Sequence, residues 1–213
     1  VLFIKELAHV PQNWPLIAGA AVAAVVGFVL FVRRQRRMSE PLLEFSIFRN
    51  KAFTGGVLAA AFAMFTIAGA QLITTQRFQL VEGFSPLQAG LLVAAIALGA
   101  LPSGLLGAAF LDTLGLRLII SGGLGVGALG LLLSITAVAT DTFALLVAGF
   151  VVTGLGLGGA FSVASSAIMG NAHPRKAGMA ASVEEVSYEM GSLSAVAVLG
   201  SLLAIVLMHL HYD

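Results

Sequence analysis

Cysteine is absent from all 213 residues, which excludes thiolate catalysis, disulfides and zinc–thiolate centres from this chain. Charge is scarce as well. Asp, Glu, Lys and Arg make up 10% of the residues, where an ordinary soluble domain carries about 25%. Neither sign dominates, and a net charge of +1 supplies no field that would draw nucleic acid, so no such partner is expected. No initiator methionine and no N-terminal signal peptide stand at the start, which opens inside an apolar phrase as a piece of a longer protein would. The Gly-x-Gly-x-x-Gly at 125–130 lies inside a hydrophobic run with no strand before it and no acid after it. The dinucleotide fingerprint therefore fails on context. His173, His209 and His211 sit at element boundaries, and the i, i+2 spacing of the last two suits no helix-face metal site. No metal and no cofactor are expected.

What the chain has is hydrophobic length. Apolar residues make up 59% of it, with a mean hydropathy of +1.02. Stretches of about 20 residues, the length a helix needs to cross a bilayer, recur at roughly 14–32, 52–74, 86–110, 116–139, 143–169 and 180–210. Residues 1–7 read as the tail of an earlier span. Spans of this length are helical, because a barrel strand is about ten alternating residues. The expected fold is thus all-α and multi-pass.

Orientation follows from the connections. Arg33, Arg34, Arg36, Arg37, Arg49 and Lys51 fall between the first and second spans, Arg117 between the third and fourth, and Arg175 and Lys176 between the fifth and sixth. Nine of the eleven basic residues lie on one side, leaving Lys5 and Arg77 on the other. The excess marks the cytoplasmic face. Within the first connection, 41–48 has i, i+3, i+4 apolar spacing. It reads equally as a short surface helix or as a buried linker beside a positive stop signal. Anionic membrane lipid would be attracted to the cluster in either case.

Small residues crowd three spans. Gly123 with Gly127, and Gly154 with Gly158, are small-xxx-small pairs that permit close backbone approach, either for static packing or for rocking of one helix on another. Gly99, Ser103 and Gly107 continue one small face of the third span, which Pro102 is placed to bend. The turn Asp112-Thr113-Leu114-Gly115-Leu116-Arg117 offers an Asp and an Arg around a glycine. These could tie two helix ends together as a gate, or Asp112 could simply cap.

The carboxylates carry the functional signal. Glu184, Glu185 and Glu189 open the last span, and an acid kept in hydrocarbon is a functional candidate by default. At 1.5 Å per residue, Glu184 and Glu185 lie roughly 9–10 Å beyond Gly178, and Glu189 roughly 16 Å, in a core about 30 Å thick. Glu185 and Glu189 share a face, whereas Glu184 shares one with Tyr188. Two acids on one side of a wet cavity suit a cationic cargo. Burial and like-charge proximity favour the protonated form, which makes a proton a competitor for the same groups. Tyr188 and Met190 could contact an apolar aromatic cation, or could simply pack.

These residues also resemble a known family. Ala177-Gly178-Met179-Ala180-Ala181-Ser182-Val183-Glu184-Glu185-Val186-Ser187-Tyr188-Glu189-Met190-Gly191 looks like the thirteenth helix of the 14-helix drug:proton antiporters of the major facilitator superfamily. The branch it most resembles exports methyl viologen and quaternary ammonium biocides. Glu40-Pro41-Leu42-Leu43-Glu44-Phe45-Ser46-Ile47-Phe48-Arg49-Asn50 is similar to the connection entering helix nine, and Ser85-Pro86-Leu87-Gln88-Ala89-Gly90 to the start of helix ten. The 112–117 turn resembles the superfamily's Asp-Arg-x-Gly-Arg turn, with Thr113 and Leu116 in place of basic residues.

The resemblance implies a partial fold, about helices 8–13 of 14. Residues 1–33 would be the end of a preceding span plus one helix of the inter-bundle hairpin, and 34–51 a basic cytoplasmic connection. Residues 52–213 would be five helices of the C-terminal bundle, with the last one missing. It also implies a bacterial inner membrane and alternating access driven by the proton motive force. The implied partners are protons, membrane lipids, lipophilic mono- or dicationic molecules, and the N-terminal bundle and final helix of the same protein. Glu185 and Glu189 would bind the cation or proton, with Glu184, Tyr188 and Met190 around them. Asp112, Gly115 and Arg117 would gate. Ala100 stands where some relatives carry a further acid. An alternative class is a structural or assembly subunit, not an enzyme either, whose glutamates only fasten helices together. A channel would need a continuous polar pore that one acid-bearing helix does not supply.

Overall fold

A computed structural model describes residues 14–37 and 45–212. The expected span tail at 1–7, Lys5, and the first half of the 41–48 segment lie outside the described residues. Six long helices follow one another: α1 (Trp14–Arg37), α2 (Lys51–Leu80), α3 (Pro86–Leu114), α4 (Leu116–Ala139), α5 (Phe143–Gly170) and α6 (Ala177–Tyr212). They occupy the six expected spans, and α2 to α5 are each long and apolar enough to cross a membrane. No strand occurs among the described residues.

Local chemistry sets the helix ends. Asn50 caps α2, its Oδ1 accepting from the Ala52 and Phe53 amides. Ser85 and Gln88 form a reciprocal capping box at the start of α3, with Pro86 in the first turn, where its missing N–H costs nothing. α3 and α4 are separated by Gly115 alone, at φ 76°, a left-handed conformation that an L side chain rarely adopts. Three ends differ from the sequence expectation. α1 runs five residues past 32, to Arg37, so its last turn takes in arginines expected in the connection. α2 runs six residues past 74, because Thr75 returns its hydroxyl to the Gln71 carbonyl and lets a polar turn stay helical. α3 runs past 110, so Asp112 lies within its last turn and not in a loop.

The 41–48 segment is not a surface α-helix in its described part. Phe45–Arg49 forms a 3₁₀ turn whose Ile47 and Phe48 pack on the core. Phe48 meets Phe53 of α2 edge-on, at 5.5 Å between ring centres, and its carbonyl accepts from the Thr54 hydroxyl. The described part is thus a turn that packs partly against the core, with none of its residues fully buried.

The helices alternate in direction, as their contact registers show. Along α3 and α5, residues 96, 100 and 107 meet 154, 158 and 159, so this pair is parallel. Along α4 and α5, residues 123, 127 and 130 meet 156, 157 and 153, so this pair is antiparallel. α2 and α6 run parallel, with Ala61 against Gly191 and Gly69 against Leu199. α2 runs antiparallel to α5 by the same logic, Gly56 lying on Ala164 and Ile168. The Asn50 amide donates to Asn171 Oδ1 at 3.0 Å, joining the basic connection before α2 to the turn after α5. Residues 45–50 ahead of α2, the turn around Gly115 and the 171–176 connection therefore share one end of the bundle, the end the basic residues mark as cytoplasmic.

Two subassemblies result. α5 is wedged between α3 and α4, which scarcely touch each other, while α6 packs along α2. α2 also lies on α5 and joins the halves. α1 makes no close backbone contact with the other helices, and its exposed Phe28 faces a groove beside α2 and α6.

Candidate functional site

The acid-bearing helix presents three distinct faces. Ala180, Val183, Ser187, Gly191 and Ala195 are buried and form a stripe at i+3/i+4 spacing. That stripe packs on α2, where the Gly191 backbone lies against Ala61. At 100° per residue, Glu185 and Glu189 project opposite it. Both are exposed, and among the described residues neither is in an ion pair.

Glu184 and Tyr188 occupy the flank towards α5. The Tyr188 hydroxyl donates to Glu184 Oε1, and the phenol ring stacks on Phe161 of α5 at 4.6 Å between centres with 17° between planes. Ser165, one turn beyond Phe161, lies beside the same hydroxyl. Both Glu184 and Tyr188 are half-buried.

Val186 and Met190 lie on the other flank. They line an apolar groove of about 630 Å³ with Phe28, Phe45, Phe48 and Val57. The expected site residues are therefore distributed. Glu185 and Glu189 stay together on the open face, Glu184 and Tyr188 are joined to each other and to α5, and Met190 faces the groove apart from every acid. Sequence spacing separated Glu184 from Glu185. It did not identify Phe161 or Ser165, whose only signal was an aromatic and a hydroxyl one turn apart on α5.

The 112–117 turn holds neither of its expected contacts. Asp112 and Arg117 are exposed and form no ion pair; the one found among the described residues joins Arg77 to Glu82 at 3.4 Å. Asp112 caps nothing either, since Gly115 is the N-cap of α4 and supplies no side chain. Two asparagines that sequence reasoning passed over do link the cytoplasmic end. Asn171 Nδ2 donates to the Ala167 carbonyl of α5 at 2.8 Å while its oxygen receives Asn50. His173 accepts the Arg175 amide and so caps the short turn before α6.

The glycines sit at the helix seams. A Cβ on Gly154 would overlap the Ile96 carbonyl of α3, and one on Gly158 the Ala100 carbonyl. Gly123 and Gly127 face Gly156, Ala160 and Leu157 of α5, whereas Gly122 and Gly125 of the same helix meet nothing within 4 Å. Ser103 adds an interhelical hydrogen bond to the Gly154 carbonyl at 3.3 Å. Ala100 lies in this dry seam. Among the described residues no group of three or more His, Cys, Asp or Glu could hold a metal ion.

Residues 7–196 match the Major Facilitator Superfamily profile. The chain is 34% identical over 190 residues to the multidrug efflux pump LfrA of Mycolicibacterium smegmatis, covering 88% of this chain and 38% of the relative. It is 32% identical over 199 residues to the methyl viologen resistance protein SmvA of Salmonella typhimurium, covering 90% and 38%. With the quinolone resistance protein NorB of Staphylococcus aureus it shares 31% identity over 185 residues, covering 86% and 40%. The chain thus spans about two fifths of the length of each.

Proposed function

Because the chain belongs to the Major Facilitator Superfamily, a family of multi-pass membrane transporters and not of enzymes, we propose that it is part of a proton-coupled exporter of lipophilic cations in a bacterial inner membrane. The cargo class is quaternary ammonium and methyl viologen-like molecules. The observation that carries this reading is the pair Glu185 and Glu189, which share the open face of α6 with no ion pair among the described residues. A carboxylate at membrane depth is costly unless something cationic or a proton meets it. Relatives that resist methyl viologen or export drugs support the cation class.

The mechanism follows from the arrangement. α2 to α6 would be five helices of the C-terminal bundle, about helices nine to thirteen of fourteen, and α1 part of the hairpin between bundles. The open face of α6 would meet the central cavity between this bundle and the N-terminal one. A cation entering from the cytoplasm or the inner leaflet neutralises the two carboxylates there. When the cavity opens outward, protonation of the acid-bearing helix releases it. Cation-loaded and protonated states alternate, so export is tied to the proton gradient without any covalent step.

Transport of a quaternary ammonium dye by the intact protein in proteoliposomes, driven by a pH gradient, tests this. Glu185→Gln and Glu189→Gln together are expected to reduce gradient-driven transport by about tenfold or more, equivalent to ~1.4 kcal/mol or more. Full transport by the well-folded double variant would overturn the site.

A further inference from the structure

Glu184 differs from its two neighbours in what holds it. Its Oε1 accepts from Tyr188, one turn further along α6. Tyr188 in turn stacks on Phe161, so the acid is fixed by reference to α5. α6 otherwise leans on α2 and makes few contacts with α5, where the ring pair joins Ala180 and Val183 packed near Ala164 and Ile168. Among the described residues no ion pair reaches Glu184. α5 has no charged residue along its length, and α2 has only Lys51 and Arg77, near its two ends. Glu184 accepts from Tyr188 and adjoins Glu185 in the chain, while the α5 residues that meet Tyr188, Phe161 and Ser165, are neutral.

We propose that Glu184 carries the coupling proton and that Phe161 and Tyr188 are positioning residues which tie its protonation state to the α5–α6 seam, leaving the cargo cation to Glu185 and Glu189. This rests on the exporter reading above. The phenol donates to the ionised carboxylate. When Glu184 takes a proton from the cavity water, its oxygen loses the negative charge that makes this hydrogen bond strong. The bond weakens, and Tyr188 is released to leave its place against Phe161. α6 can then shift on α5 without breaking any backbone contact, because no glycine seam joins these two helices. Glu185 and Glu189, turned about 100° from Glu184 and Tyr188 around α6, are in no ion pair among the described residues.

The test compares two modes of the intact protein in proteoliposomes, dye exchange without a gradient and dye accumulation against its gradient with a pH difference. Glu184→Gln is expected to keep exchange within about twofold while losing accumulation by about tenfold or more. Phe161→Leu and Tyr188→Phe are expected to lower the maximal rate of accumulation about fivefold while leaving the half-saturating dye concentration within about twofold, and Phe161→Trp to retain most of the rate because stacking survives. Three results would overturn the assignment. One is a tenfold rise in half-saturating dye concentration in Phe161→Leu at unchanged maximal rate, which would make the ring a cargo wall. Another is loss of exchange and accumulation together in Glu184→Gln. The third is rate loss that merely follows loss of folded protein in all three ring variants. If Glu185→Gln and Glu189→Gln weaken dye binding while the ring variants behave as wild type, the exporter reading survives and only the division of labour fails.

Discussion

α5 meets its neighbours through two unlike seams. Towards α3 and α4 the contact is backbone on backbone, with Gly154 and Gly158 against Ile96 and Ala100, and Gly156 against Gly123 and Gly127. Towards α6 the contact is side chain on side chain, with one stacked ring pair and one carboxylate behind it. A backbone seam has no rotamer to change, so it transmits displacement rigidly. A ring pair can part by rotation about two side-chain bonds. The bundle thus contains a trio joined backbone to backbone, α3–α4–α5, and an α5–α6 contact made by side chains, with α6 held to α2 where Gly191 meets Ala61.

The difference can be broken most forcefully at the stiff seam. Gly154→Val would drive its side chain into the Ile96 carbonyl. The expected cost is about 3 kcal/mol, or a fall of roughly 6–12 °C in the thermal midpoint of the purified protein. If Phe161→Leu lowered the midpoint as much, the two seams would not differ in kind. A smaller effect is expected at the cytoplasmic end, where Asn171 links α5 to the start of α2. Asn171→Ala should cost about 1 kcal/mol, read as a midpoint fall of roughly 2–4 °C; no change would show that the link adds nothing to the joining of the halves. The smallest effect sharpens the comparison by contrast. Gly122 has open space where its Cβ would go. Gly122→Ala should leave the midpoint unchanged or raise it by roughly 2–4 °C, the equivalent of the ~1 kcal/mol that alanine gains over glycine in a helix. Loss of stability there would mean that α4 uses a second face.

Much of this was legible in the residues. Hydrophobic length located all six helices, and the basic connections located the end at which Asn50 and Asn171 meet. Spacing also separated Glu184 from Glu185, because angular position along a helix depends on nothing outside it. What lay beyond reach was which neighbour each face of α6 would meet. Tyr188 finds Phe161 only because α2 sets the rotation of α6 and the depth of α5, and neither is a local property. Met190 was grouped with the acids by proximity in sequence, yet three faces of one helix lie within three residues. The placement of Asp112 has a simpler cause. α3 continues until Gly115 breaks it, so Asp112 belongs to a helix end and not to a loop that could fold back.

The placement of α5 has a consequence for how the molecule is made. α3 and α4 emerge from synthesis as a hairpin closed by one glycine, yet they scarcely touch each other. Their small-residue faces fit a helix that has not yet been translated. Until residue 170 is inserted, those faces border lipid, and α2 likewise awaits α6. The chain therefore enters the membrane as segments whose proper partners arrive late, so that assembly is ordered by translation and each half closes only when its later helix comes.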